Sequence, residues 1–140
     1  MKPIDKLLKK WQRNLKLLDW DISVEIKDDP EYEELEVAVG SEKGDTSGFN
    51  CVTGDRNHSK IYLKKSCSNH ELFLVHELVH ILLNPLDDVS VSMVEYIPSE
   101  DAKKIIDTQR NDALEKTNWS ITREIGEHTS ELQSHLNLVC

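Results

Sequence analysis

The stretch from His76 to His80 has the residue types and the spacing of a metal-dependent hydrolytic site. Residues four apart lie on one face of an α-helix, so the imidazoles of His76 and His80 can reach a single Zn²⁺. Glu77 stands beside them, where a carboxylate can act as the general base on a water that the metal activates. The pattern therefore predicts one zinc ion, with His76 and His80 as ligands and Glu77 as the catalytic base.

The residues on either side predict that this motif lies on a buried helix. Apolar side chains fill positions 72–75, 78, 79 and 81–83. Ser68 and Glu71 have the S-x-x-E spacing of a capping box, which would start the helix at about residue 69. Asn84-Pro85 is expected to stop it after about four turns. Two histidines that only satisfy hydrogen bonds in a core are the alternative interpretation, and the glutamate between them disfavours it.

Composition bounds the class of protein. A length of 140 residues predicts a single domain, residues 1–140, and a net charge of −9 argues against binding to a nucleic-acid backbone. No apolar run approaches the roughly 18 residues that cross a bilayer, and the segment from Met1 to Asp5 does not resemble a signal peptide. The cysteines number three, at no metal-binding spacing, which favours reduced thiols. We therefore expect a cytoplasmic protein with no nucleic-acid or membrane partner.

Hydrophobic periodicity predicts an α+β fold around the motif. The predicted elements are a helix over residues 4–18, strands at 21–27, 35–39, 49–53 and 60–64, a solvated connection over 31–36, a polar helix from Ser99, and a last helix from Asn118 or Ser120. These elements describe an N-terminal helix, a small twisted, mainly antiparallel sheet of about four strands, the motif helix and two C-terminal helices.

A catalytic zinc site usually has three protein ligands and a water, so a third ligand is needed. The sequence after His80 lacks the histidine spacing of metzincins, and the next histidine is His128. A ligand from a later helix is therefore expected. The candidates in the last predicted helix are Glu124, Glu127, His128 and Glu131.

The surroundings of Glu127 resemble those of the ligand glutamate in gluzincins. In that group the glutamate follows a small or amide residue, which here is Gly126. It is also accompanied by apolar residues at fixed spacings, which here are Ile125, Leu132 and Leu136. The resemblance implies Glu127 as the third zinc ligand, with Glu131 and then His128 as alternatives.

More of the chain resembles the small HExxH zinc metallopeptidases of phages and prophages, which are minimal gluzincin-like zincins. The shared features are the N-terminal amphipathic helix, the strand entry at Asp19-Trp20, the apolar strand at 61–63 and the aliphatic tail of the motif up to Leu83. The resemblance implies a zincin-like fold and hydrolysis of a peptide or protein substrate, in the host cytoplasm if the protein is phage-encoded. Extended substrate would pair with a sheet edge, at 61–63 or 49–53.

Two alternative functions are open at this point. One is a repressor-cleaving protease of the ImmA/IrrE type, although no helix-turn-helix is evident in this chain. The other is a non-catalytic phage protein in which zinc only holds helices together, and in which Glu77→Gln would leave the biological activity intact.

Overall fold

The protein is described by a computed structural model that covers residues 1–40, 46–53 and 57–127. The predicted α+β class is confirmed for these residues, which form four helices and one three-stranded sheet. In chain order the elements are α1 (Pro3–Asn14), β1 (Asp21–Lys27), α2 (Asp29–Ala38), β2 (Gly48–Thr53), β3 (His58–Lys64), α3 (His70–Glu95) and α4 (Glu100–Glu127).

The sheet differs from the prediction in strand number and in direction. Its order is β1-β3-β2, with β1 parallel and β2 antiparallel to β3, so it is mixed and has three strands. Because β3 lies between its two neighbours, the segment 61–63 has no free edge for a substrate. β2 has no strand on its other side among the described elements, and it is the remaining predicted edge.

The predicted strand at 35–39 is wrong, and so is the predicted solvated connection at 31–36, because both fall on α2. Asp29, Pro30 and Glu31 favour the start of a helix, since proline fits the first turn and acidic side chains complement the helix dipole. Tyr32 and Glu36 are four apart on one helical face, and both are fully buried. Tertiary packing of this face therefore outweighs the local alternation of aliphatic residues.

The helix that carries the motif is longer than predicted. It begins at His70, where Asn69 Oδ1 accepts a hydrogen bond of 3.0 Å from Leu72 N, so Asn69 and not Ser68 provides the cap. The predicted stop at Asn84-Pro85 is wrong, because α3 continues through Pro85 to Glu95. A proline inside a helix loses one backbone hydrogen bond, and here the helix is supported by packing against α4 on both sides of this point.

The two predicted C-terminal helices are one continuous helix of 28 residues, α4. Asn118, predicted as a possible cap, is instead fully buried in the middle of this helix. Its Nδ2 donates to the carbonyl oxygen of His76 at 3.0 Å, and its Oδ1 accepts from Thr122 Oγ1 at 3.1 Å. The side chain therefore joins α4 to α3 and starts no new element.

The core lies between the sheet, α1 and the first half of α3. Its largest fully buried aliphatic side chains are Ile61, Leu63, Leu72, Leu74, Leu78 and Ile81. Within residues 1–40, 46–53 and 57–127, no helix combines the length and the apolar character needed to cross a membrane. The buried part of α3 is thus its motif half, which fixes the motif against the sheet.

Candidate metal centre

Three side chains from α3 and α4 converge on one point. Glu115 Oε1 lies 2.8 Å from His80 Nε2, and Glu115 Oε2 lies 3.5 Å from His76 Nε2. One ligand atom from each residue falls within 4.8 Å of the other two, so the group can hold a metal ion. Zinc bonds of about 2.0–2.2 Å place neighbouring ligand atoms of a tetrahedral site about 3.4 Å apart. Two imidazole nitrogens and a carboxylate oxygen are ligand types that a divalent metal ion such as zinc accepts, and the separations from Glu115 to the two imidazoles are close to this value.

One face of α4 is built to meet the motif. Glu115, Asn118, Trp119 and Thr122 follow each other at helical spacings of three and four, so they share a face. Asn118 fixes the height of α4 against α3 through its hydrogen bond to the backbone of His76. This contact holds Glu115, one turn earlier, opposite the two imidazoles.

Aromatic packing fixes the orientation of His76. The indole of Trp119 stacks on the imidazole, with the ring centroids 4.0 Å apart and the planes at 24°. Phe73 meets the same indole edge-on at 5.7 Å. His76 Nδ1 is buried and has no hydrogen-bond partner among the described residues. Stacking, and not a hydrogen bond at Nδ1, therefore orients this ring.

Charge in the group is balanced between the carboxylate and the histidines. Hydrogen bonding to His76 and His80 holds the pKa of Glu115 well below its usual range. Burial disfavours the charged form of His80, but contact with Glu115 and the charge of Glu77 outweigh burial and raise the pKa of His80. The carboxylate of Glu115 thus shifts His80 towards its protonated form. A bound metal ion would supply the positive charge in place of that proton.

Glu77 is held against the edge strand of the sheet. Its side chain is almost fully buried, and burial raises its pKa, opposed by His80 and His76 and by a hydrogen bond from Asn50. Asn50 Nδ2 donates to Glu77 Oε2 at 2.6 Å. A Cβ placed on Gly48 would lie 2.9 Å from Leu63 Cδ2 and 3.6 Å from Glu77 Cγ, so glycine permits this close approach of β2.

The group lines an open cleft of about 590 Å³. One wall is the start of β2, from Gly48 to Asn50, and the other includes Phe73 and Trp119. Asp87 also lines the cleft and accepts a hydrogen bond from the guanidinium of Arg110. The three ligands and Glu77 therefore face a space that another molecule can enter.

A further buried carboxylate supports the β2 wall. Glu36 Oε2 accepts hydrogen bonds from Thr46 N at 2.8 Å and from Thr46 Oγ1 at 2.7 Å. Thr46 Oγ1 also lies 2.6 Å from the hydroxyl of Tyr32, whose pKa is raised by burial. These bonds tie α2 to the segment that leads into β2, so α2 sets the position of this wall.

The sequence analysis favoured Glu127 as the third ligand, whereas the carboxylate that lies with His76 and His80 among the described residues is that of Glu115, which is also on α4. The metal group takes its carboxylate from Glu115, and Glu127 lies twelve residues later on α4, about 18 Å along the helix axis. The side chain of Glu127 and the whole of His128 and Glu131 lie outside the described residues. The sequence signal for Glu115 was its place on one helical face with Asn118, Trp119 and Thr122, at the spacing i, i+3, i+4 and i+7.

No protein-family model matches this chain, and searches of the curated proteins and of the solved structures find no match to it. A function is therefore inferred from the chemistry and geometry of the cleft, together with the motif.

Proposed function

We propose that this protein is a zinc-dependent peptidase in which His76, His80 and Glu115 hold one zinc ion and Glu77 is the general base. The supporting observation is that this three-ligand group and the buried Glu77 carboxylate line the same open cleft. Structural zinc sites are closed by four protein ligands, whereas catalytic sites have three and leave one position for water or substrate. Two histidines and one carboxylate in a cleft are the donor set of the catalytic kind.

The residues of the cleft would have separate roles in hydrolysis. A zinc ion held there supplies a Lewis acid for water and for the peptide carbonyl. Glu77 accepts the proton of the attacking water and passes it to the leaving amine. The hydrogen bond from Asn50 holds the Glu77 carboxylate in one orientation, which reduces the entropy cost of that proton transfer.

A peptide or protein substrate fits the wall beside Glu77. β2 is an edge strand among the described elements, and its residues Gly48, Phe49 and Asn50 line the cleft. An extended peptide can add to such an edge through main-chain hydrogen bonds. The motif from His76 to His80, from which the sequence predicts a peptidase, favours the same substrate class.

The variant Glu77→Gln tests the proposal, because glutamine keeps the size of the side chain and loses its basicity. Zinc content would be measured by elemental analysis, and cleavage of a random peptide library by mass spectrometry, at equal zinc occupancy. We expect the variant to keep one zinc per chain and to cleave at least about 10²-fold more slowly, the usual contribution of a general base.

Two outcomes would overturn the proposal. The first is a zinc-loaded wild-type protein that cleaves no member of the library. The second is Glu77→Gln cleaving at the wild-type rate. Zinc uptake that raises the melting temperature without any hydrolysis would identify the non-catalytic alternative, in which the metal only ties α3 to α4.

A further inference from the structure

The second half of α3 carries an exposed row of apolar residues beside the row that packs against α4. Positions 83, 87, 90 and 94 are partly buried and alternate with exposed ones, and Leu83, Asp87 and Ser90 line a depression shared with α4. The adjacent stripe, one residue earlier at each step, is exposed. We call it the open stripe: Leu82, Leu86, Val89, Met93 and Tyr96.

The open stripe has the spacing of a helix–helix contact. Its steps of four, three, four and three residues repeat every seven, which is the period of apolar seams between packed helices. Exposed fractions run from 44% at Leu82 to 88% at Tyr96. Applied to side-chain areas of about 150–250 Å², these fractions give roughly 600 Å² of apolar surface, at the upper end of what monomers expose.

The same side of α4 continues this surface. Leu86 and Ala113 line one shallow depression between the two helices, so they lie on the same side of the hairpin. Ile106 is seven residues before Ala113, on the same side of α4, and is 41% exposed. Ile105 is also exposed but points away from α3, because the half-buried positions 103, 107, 110 and 114 face α3.

The residues that border the open stripe are polar or acidic. The residues that flank its centre are Ser90 and Ser92, whose hydroxyls donate to the carbonyl oxygens of Asp87 and Asp88 within the same helix. The carboxylate of Asp87 is paired with Arg110. Asp88 and Glu95, next in sequence to Val89 and Tyr96, are exposed, so like charge opposes association and we expect added salt to tighten the dimer.

We infer that the open stripe is a homodimer interface, in which two α3–α4 hairpins pack as a four-helix bundle around a two-fold axis at Val89. Val89 is the midpoint of the stripe, so an antiparallel pairing places it opposite its own copy, Leu86 opposite Met93, and Leu82 opposite Tyr96. Two copies together bury about 1,200 Å², which reaches the range of specific interfaces. This inference does not depend on the metal centre or on catalysis.

Sedimentation equilibrium and an engineered cross-link test the interface. We expect the full-length chain of 16.1 kDa to sediment as a dimer at micromolar concentration. Val89→Glu would place two carboxylates at the axis and raise the dimer Kd by about 100-fold or more. Ile105→Glu is the matched control, because it adds the same charge to an exposed isoleucine of the same hairpin, and it should leave the dimer intact.

The cross-link tests the position of the axis. Val89→Cys should form an intermolecular 89–89 disulfide under mild oxidation, identified by mass spectrometry of the linked peptides, whereas Ile105→Cys should not. A monomeric wild type at 100 µM would overturn the inference. So would a dimer that Val89→Glu leaves unchanged, with circular dichroism confirming that the variant is folded, or one in which Val89→Cys gives no 89–89 link.

Discussion

Replacing Glu115 with alanine should remove most of the zinc affinity of this protein. The two oxygens of Glu115 lie 2.8 and 3.5 Å from the ligand nitrogens of His80 and His76, so the carboxylate supplies both the third ligand and the negative charge of the group. Four-ligand zinc sites bind with about 10–16 kcal/mol in total, or about 3 kcal/mol per ligand, which corresponds to a loss of about 10²-fold in affinity.

The assay is competition for zinc against a chromophoric chelator of known affinity, with Glu115→Ala, Glu115→Gln and Glu127→Ala compared with wild type. Glu115→Gln keeps the shape of the side chain and removes its charge, so it separates charge from packing. Glu127→Ala is the matched control on the same helix and should bind zinc as wild type does, because Glu127 lies about 18 Å further along α4. Circular dichroism checks that each variant is folded.

The ligand assignment is refuted if Glu115→Ala binds zinc with wild-type affinity. It is equally refuted if Glu127→Ala loses the metal while Glu115→Ala keeps it. In that second case the assignment implied by the gluzincin resemblance would be correct.

Three further perturbations test the surroundings of the cleft. Trp119→Ala removes the ring that stacks on His76, and it should lower the free energy of unfolding by about 2–3 kcal/mol in urea titration. Trp119→Phe should recover part of this loss. An alanine variant as stable as wild type would argue against the stack. Glu36→Ala leaves two partly buried donors of Thr46 without their acceptor and should lower the free energy of unfolding by about 2 kcal/mol, and an unchanged urea midpoint would contradict this role. Burial raises the pKa of the Cys67 thiol, so iodoacetamide at pH 8 should modify Cys67 more slowly than the exposed Cys51. Peptide mapping would measure both rates, and faster labelling of Cys67 would contradict this prediction.

The sequence correctly predicted those strands and helices in which the repeat of apolar residues matches the buried face. In β1 the alternation of Ile22 and Val24 with polar residues matches the buried face of the strand, and the same holds for Ile61 and Leu63 in β3. The apolar flanks of the motif placed it on a buried helix, and most of the residues from Glu71 to Ile81 are indeed buried. Two histidines and a glutamate on one helical turn are likewise a local fact, set by the geometry of a single helix.

Elements that depend on distant contacts could not be predicted in the same way. Residues 35–39 alternate like a strand, yet α2 forms because Tyr32 and Glu36 are buried together against the rest of the fold. Pro85 has the local character of a helix stop, yet α3 passes through it because α4 packs along both of its halves. In each case the free energy of tertiary packing exceeds the local preference.

The sequence by itself therefore determined the local arrangement from which the chemistry is proposed: two histidines four residues apart, a glutamate between them, and the expectation of a third ligand from a later helix. Only the tertiary structure decided which carboxylate that is. Several glutamates of the C-terminal region satisfy the chemical requirement equally well, and the choice depends on how far α4 slides along α3. Asn118 fixes that height by bonding to the backbone of His76, and Glu115 then lies opposite the imidazoles.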